Sequence, residues 1–226
     1  MTSTSRIRLS PPPNRQPQRG IPPLEGARRW LSPHEESGER SPLTVFITQT
    51  AYSRADAHAA SRLNAEVGGI LVGKWCADAR SGEPFIVIVG AIPARFTRQG
   101  SVYLTFTQDS LVDLHAKSEM QYPGKEIVGW YHTHPYMGVF LSQYDTWLHE
   151  HFFPEPWQVA LVIEPVNTSG GFFIRQPSGE LTPDHYFGFY ELDGLLNEST
   201  VHWNNLRTNM QQSLESDEQE GGEPYE

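Results

Sequence analysis

Gly129-Trp130-Tyr131-His132-Thr133-His134-Pro135, with Ser142 and Asp145 shortly after it, is the stretch from which the rest of this chain can be read. Ile127 to His134 has the β-branched and aromatic character of a strand. Alternate side chains of a strand share a face, so His132 and His134 point the same way. Pro135 has no amide hydrogen and ends the pairing, releasing the chain into a loop from Tyr136 to Leu141 in which Gly138 permits a turn. Ser142 stands at an N-cap position before a short helix, Gln143 to Phe152, and Asp145 falls in the first turn of that helix. Two imidazoles from a strand end and one carboxylate from the next helix are a donor set for a tetrahedral metal ion with its fourth position open. Each piece alone has an ordinary explanation: His-x-His can be packing or surface chemistry, and Ser-x-x-Asp is a capping box. At this spacing, together, they point to a metal site.

The stretch closely resembles the signature of the JAMM/MPN+ zinc metalloproteases, which remove ubiquitin or ubiquitin-like proteins. An earlier segment, Glu66-Val67-Gly68-Gly69-Ile70-Leu71-Val72-Gly73, resembles the family's Glu-x-x-Gly-x-Leu-x-Gly motif. The resemblance implies Zn²⁺ held by His132, His134 and Asp145. It assigns Glu66 to proton transfer and Ser142 to stabilising charge on the attacked carbonyl oxygen. It also implies an α/β (mixed α+β) fold of the MPN/JAB type, a single domain with a mixed, mostly antiparallel curved sheet flanked by helices. The implied reaction is hydrolysis after the C-terminal tail of ubiquitin or a ubiquitin-like modifier, in precursor processing or deconjugation. Loops at Arg95 to Ser101 and Asn167 to Pro183 are candidates to grip that partner. The chain looks like a stand-alone, bacterial-type member. Two other readings share these residues: an amidase on a sulfur-carrier or small-molecule substrate, and a non-catalytic MPN scaffold. Scaffold members lose the ligands, whereas all five residues are present here.

Composition narrows the classes further. A chain of 226 residues can bury a sizeable core and leaves room for tails. No apolar run approaches the roughly 20 residues of a membrane helix, and no secretory signal opens the chain, so a cytoplasmic location is expected. Cys76 is the one cysteine, which excludes an internal disulfide and a thiolate-rich zinc site. A net charge of -10 argues against a nucleic-acid surface. Oligomeric state is not readable.

In chain order, residues 1–42 hold 8 of the 18 prolines and read as a disordered Pro/Arg-rich arm, in which Trp30 and Leu31 form the only bulky apolar pair. The metalloprotease domain is expected over 43–208. It starts with a strand at Leu43 to Thr48 and an alanine-rich helix at Ala51 to Leu63. Val67 to Trp75 and Pro84 to Ile92 form an expected antiparallel pair, with Glu66 at the entry to the first. A loop at Arg95 to Ser101, a strand at Val102 to Thr107 and a helix at Ser110 to Met120 precede the motif. Strands at Gln158 to Ile163, Gly171 to Arg175 and Tyr186 to Tyr190 follow it, then a short helix within Leu195 to Leu214. The acidic residues 209–226 are expected to be a disordered tail.

Overall fold

The computed structural model describes residues 16–94, 108–193 and 198–208. Among them are ten strands and four helices. In order they are β1 (Gln18–Gly20), β2 (Arg28–Leu31), α1 (Pro33–Glu36), β3 (Thr44–Thr48), α2 (Gln49–Ala60), β4 (Gly68–Asp78) and β5 (Pro84–Pro93). There follow α3 (Gln108–Gln121), β6 (Glu126–Thr133), α4 (Gln143–Phe152), β7 (Val159–Glu164), β8 (Ser169–Phe173), β9 (Phe189–Leu192) and β10 (Arg207–Thr208).

One mixed sheet runs β10-β2-β9-β3-β5-β4-β6-β7-β8, with β1 paired to the far end of β4. The β4·β5 and β4·β6 pairings are antiparallel, while β6·β7 and β3·β5 are parallel. The long central strand β4 is covered along one edge by β5, and its other edge is shared by β6 at residues 68–73 and β1 at 76–78. This central place explains its unbroken apolar run: side chains of both parities are buried.

The two faces carry separate cores. Leu71, Ile88, Tyr131 and Leu161 pack under α2, whose Ala51, Tyr52, Ala55 and Ala59 lie against the sheet with no bulky side chain but the tyrosine. Ile70, Trp130, Val162 and Phe173 face the other way, against Leu114 of α3 and Leu148 of α4. The expected α/β class and helix-flanked mixed sheet are therefore what forms. A register shift at Leu71/Val72 bulges β6 near Val128, and strict alternation in β6 holds only from Gly129 onward. A Cβ on Gly129 would lie 2.2 Å from the Val159 carbonyl oxygen, so the close β6·β7 approach requires glycine there.

Several expectations are corrected. Residues 16–42 are not a structureless arm: β2 joins the sheet between β9 and β10, and Trp30 is buried in the α2-side core. The proline and arginine content concealed this because the segment contributes one buried indole and backbone pairing rather than a periodic apolar face. Residues 1–15 lie outside the described residues, as do the Arg95 to Ser101 loop, the Val102 to Thr107 strand and the tail 209–226. Residues 198–208 contain turns and β10 rather than a helix. The last large strand starts at Phe189 instead of Tyr186, and Phe187 makes only an isolated bridge to Phe172. The strand expected at Gly171 to Arg175 forms as β8, two residues earlier and fully buried, so only the flanking parts of Asn167 to Pro183 are loop.

Candidate metal centre

β6 ends on the face shared with α3 and α4. Thr133 still pairs with Ile163 of β7, the His134 amide donates to the Ile163 carbonyl at 2.9 Å, and then Pro135 stops the ladder. The backbone turns sharply: Tyr136 adopts φ 65° and Gly138 φ 91°. A carboxylate steadies this exit, because Glu164 accepts from the Tyr136 amide at 3.1 Å and from the Val166 and Asn167 amides at 2.9 and 2.8 Å. Its acidity is set by a contest in which burial pushes the carboxyl pKa up and those amide bonds, outweighing it, bring it below the ordinary value.

Ser142 caps α4 as expected. Its Oγ accepts from the Asp145 amide at 3.2 Å, and its own amide donates to Asp145 Oδ2 at 2.7 Å, a complete capping box. The same carboxylate faces the histidines, with Oδ1 at 3.3 Å from His132 Nε2 and Oδ2 at 3.5 Å from His134 Nε2. The two Nε2 atoms are 2.9 Å apart. One aspartate thus both closes the capping box and faces the two histidines.

All three side chains are buried: His132 is 0%, His134 2% and Asp145 2% exposed. Burial drives the His132 pKa down against the pull of Asp145, so the ring is neutral near pH 7. Burial alone would raise the Asp145 pKa. The charge and hydrogen bonds of His132, then the bonds with His134 and Ser142, outweigh it and hold the carboxyl far below the ordinary range. Two Nε2 atoms and a buried carboxylate therefore face one point, and the three can exchange their mutual hydrogen bonds for bonds to a divalent cation. The set of His132, His134 and Asp145 matches a three-ligand zinc site in number and donor type.

Glu66 is reached through the β4·β6 register. Gly68 pairs with His132, the Val67 carbonyl accepts from the Thr133 amide at 2.9 Å, and the Val67 amide donates to Thr133 Oγ1 at 2.9 Å. Those bonds pin the residue after Glu66 to the residue between the histidines. Glu66 directly precedes that pinned residue, two positions before β4 begins, and is half-buried.

Four further side chains shape the site. Thr133 supplies the bond just described, and Glu164 holds the loop. Trp130 stacks on His132, ring centroids 4.5 Å apart and 11° from parallel, and its indole N–H donates to His149 Nδ1 at 3.0 Å. His149 is fully buried, and burial, helped by Arg175, pulls its pKa down to about 3. The Asp145/His149 spacing of four on α4 was the available signal for His149. For Glu164 it was a lone acid closing the apolar run Val159 to Ile163. Ring packing, stacked for His132 and tilted for His134, fixes the histidines in place of far-side hydrogen bonds, since both Nδ1 atoms are buried with no partner among the described residues. Phe140 sits 4.8 Å from the His134 ring.

Residues 40–153 match the family model described as JAB1/Mov34/MPN/PAD-1 ubiquitin protease. The chain is 33% identical over 156 residues to COP9 signalosome complex subunit 5 of Caenorhabditis elegans, covering 62% of this chain and 39% of that protein. It is 38% identical over 101 residues to the NAD(+) hydrolase TcpA of Theionarchaea archaeon (strain DG-70-1), covering 44% of this chain and 27% of that protein. It thus spans well under half the length of either relative. Among solved structures, the solution structure of protein DSY2949 from Desulfitobacterium hafniense aligns with a TM-score of 0.47 and 22% identity, over 63% of this chain and 90% of that one. The family match takes in half of the chain and includes both the segment that carries Glu66 and the one that carries His132, His134, Ser142 and Asp145, so this chain belongs to the JAB1/Mov34/MPN/PAD-1 ubiquitin protease family.

Proposed function

We propose that this protein is a zinc-dependent peptidase or isopeptidase that cleaves after the C-terminal tail of ubiquitin or a ubiquitin-like modifier. The observation that carries the reading is the convergence of His132 Nε2, His134 Nε2 and the Asp145 carboxylate beside the strand entry that bears Glu66. His132, His134 and Asp145 would hold the ion. When bound, it supplies Lewis acidity, which makes water a competent nucleophile near neutral pH and draws electron density from a carbonyl.

The protein's own groups do the rest. Glu66 takes a proton from the attacking water and returns it to the departing amine, because an amide nitrogen leaves poorly unless protonated. Ser142 caps α4 through an oxygen lone pair, so its hydroxyl hydrogen is not committed to that bond and can be donated to the carbonyl oxygen as charge collects there. Trp130 and Asp145 hold the two imidazoles in place, and Thr133 fixes the backbone of the Glu66 segment. A glycine-containing tail, extended, fits a strand-like approach to such a site.

The test is incubation of the full chain with ubiquitin-like fusions, with and without a chelator, alongside Glu66→Gln. Cleavage should require metal, and Glu66→Gln should keep its zinc while losing roughly 10² to 10⁴ in turnover. Undiminished activity of Glu66→Gln would remove Glu66 from the mechanism. Intact fusions in the presence of zinc-loaded, folded protein would reject the substrate class.

A further inference from the structure

We propose that the protein carries a second metal site, formed by His34, Glu39 and His185 at the seam between the N-terminal segment and the chain leading into β9. One ligand atom from each lies within 4.8 Å of the others. The His34 and His185 rings stack with centroids 3.8 Å apart and planes 21° from parallel. Glu39 Oε2 is 2.8 Å from His185 Nε2, yet that buried nitrogen has no aligned hydrogen-bond partner among the described residues, so the carboxylate lies off the N–H direction. A ring nitrogen pressed against a carboxylate without hydrogen-bond geometry, with a second imidazole beside it, is an arrangement that a shared cation relieves. Imidazole lone pairs lie in the ring planes, so one ring turns out of the stack to let both nitrogens and the carboxylate reach the ion, which offsets the charge of the acid. Two imidazoles and one carboxylate suit a borderline ion such as Zn²⁺, Co²⁺ or Ni²⁺; Ca²⁺ and Mg²⁺ prefer all-oxygen shells.

The donors are delivered by segments that are already docked. Glu35, beside His34, pairs with Arg29 and accepts from the Ser32 amide at 3.1 Å and the Gly188 amide at 2.6 Å. A Cβ on Gly188 would meet the Trp30 carbonyl oxygen at 2.0 Å, which shows how closely the two segments approach. His185 is held from its own side by a turn bond to the Thr182 carbonyl at 3.2 Å. Next to Thr182, the Pro183 carbonyl accepts from the Leu141 amide at 2.7 Å, one residue before Ser142. A cation here would tie the N-terminal segment to the stretch that supports the start of α4. Its role is that of a brace, since Glu66 and Ser142 belong to the other centre. Glu39 is exposed, which leaves the ion a route in from solvent.

The experiment uses the full chain, stripped of metal and titrated with Zn²⁺ or, for its absorption spectrum, Co²⁺. Wild type should take up about two equivalents. His34→Gln and Glu39→Gln should each retain about one, as should the double variant His132→Ala/His134→Ala, which then reports the second site alone. In that double variant, added zinc should still raise the melting temperature, and His34→Gln should abolish the rise. Glu39→Gln alters only an exposed carboxylate and keeps the test valid if a histidine variant misfolds. Uptake of one equivalent that disappears in His132→Ala/His134→Ala overturns the second site and leaves the first intact. A second equivalent that survives both His34→Gln and Glu39→Gln overturns it as well.

Discussion

Acid should weaken this protein through His149, and the size of the effect can be worked out. Burial, reinforced by Arg175, lowers its pKa from 6.5 to about 3. A group whose folded pKa is depressed leaves the unfolded chain to bind the proton first. The stability is therefore complete above about pH 6.5 and drains away as the pH falls toward 3. Between pH 7 and pH 5 the unfolded state gains roughly three-quarters of a proton at this position while the folded state gains almost none. The difference is roughly 1.5 pK units, or about 2 kcal/mol, and it grows to about 4 to 5 kcal/mol near pH 3. His149→Gln keeps an acceptor for the Trp130 indole N–H but has nothing to titrate. Urea denaturation of both proteins at pH 7 and pH 5, with a chelator present throughout so that metal release contributes to neither, isolates the term. Wild type should lose about 2 kcal/mol more than His149→Gln, a relative midpoint shift on the order of 1 M urea. Equal losses in the two proteins would refute a neutral, buried His149 beneath the Trp130 and His132 stack.

Three other outcomes follow from the contacts. Ser142→Ala should lower helix stability by about 1 kcal/mol through the lost cap and slow turnover by roughly 10² to 10³, which melting curves and single-turnover rates can separate. Glu164→Ala removes the acceptor for three amides at Tyr136, Val166 and Asn167, so it should cost on the order of 3 kcal/mol or more by denaturant titration. Glu164→Gln, retaining one acceptor oxygen, should cost visibly less. Trp30→Ala should destabilise by about 3 to 5 kcal/mol, since the indole is buried and its N–H donates to Glu191 at 3.1 Å. A loss under about 1 kcal/mol would contradict the docking of residues 16–42.

The candidate centre was legible because its chemistry is local. His132 and His134 share a face through strand parity, and Ser142 and Asp145 are placed by helix capping, so short-range rules bring the four into register. The apolar, β-branched runs of β4 and β5, split by a turn-prone stretch, likewise announce their pairing. Glu66 was identified by resemblance, and no local rule connects it with residues 65 or more positions later.

What tertiary structure alone decided are the relations between distant segments. The register of β4 against β6 sets Glu66 beside the histidine strand, and the indole of Trp130 joins His132 to His149. In the proline-rich stretch 16–42, which has no periodic face, β2 and β1 form because the edges of β9 and β4 offer backbone donors and acceptors that the segment lacks by itself. His34 and His185 meet for the same reason. Local sequence encodes dihedral preference and facing, whereas partners far along the chain are chosen by the burial and hydrogen bonding of the whole sheet.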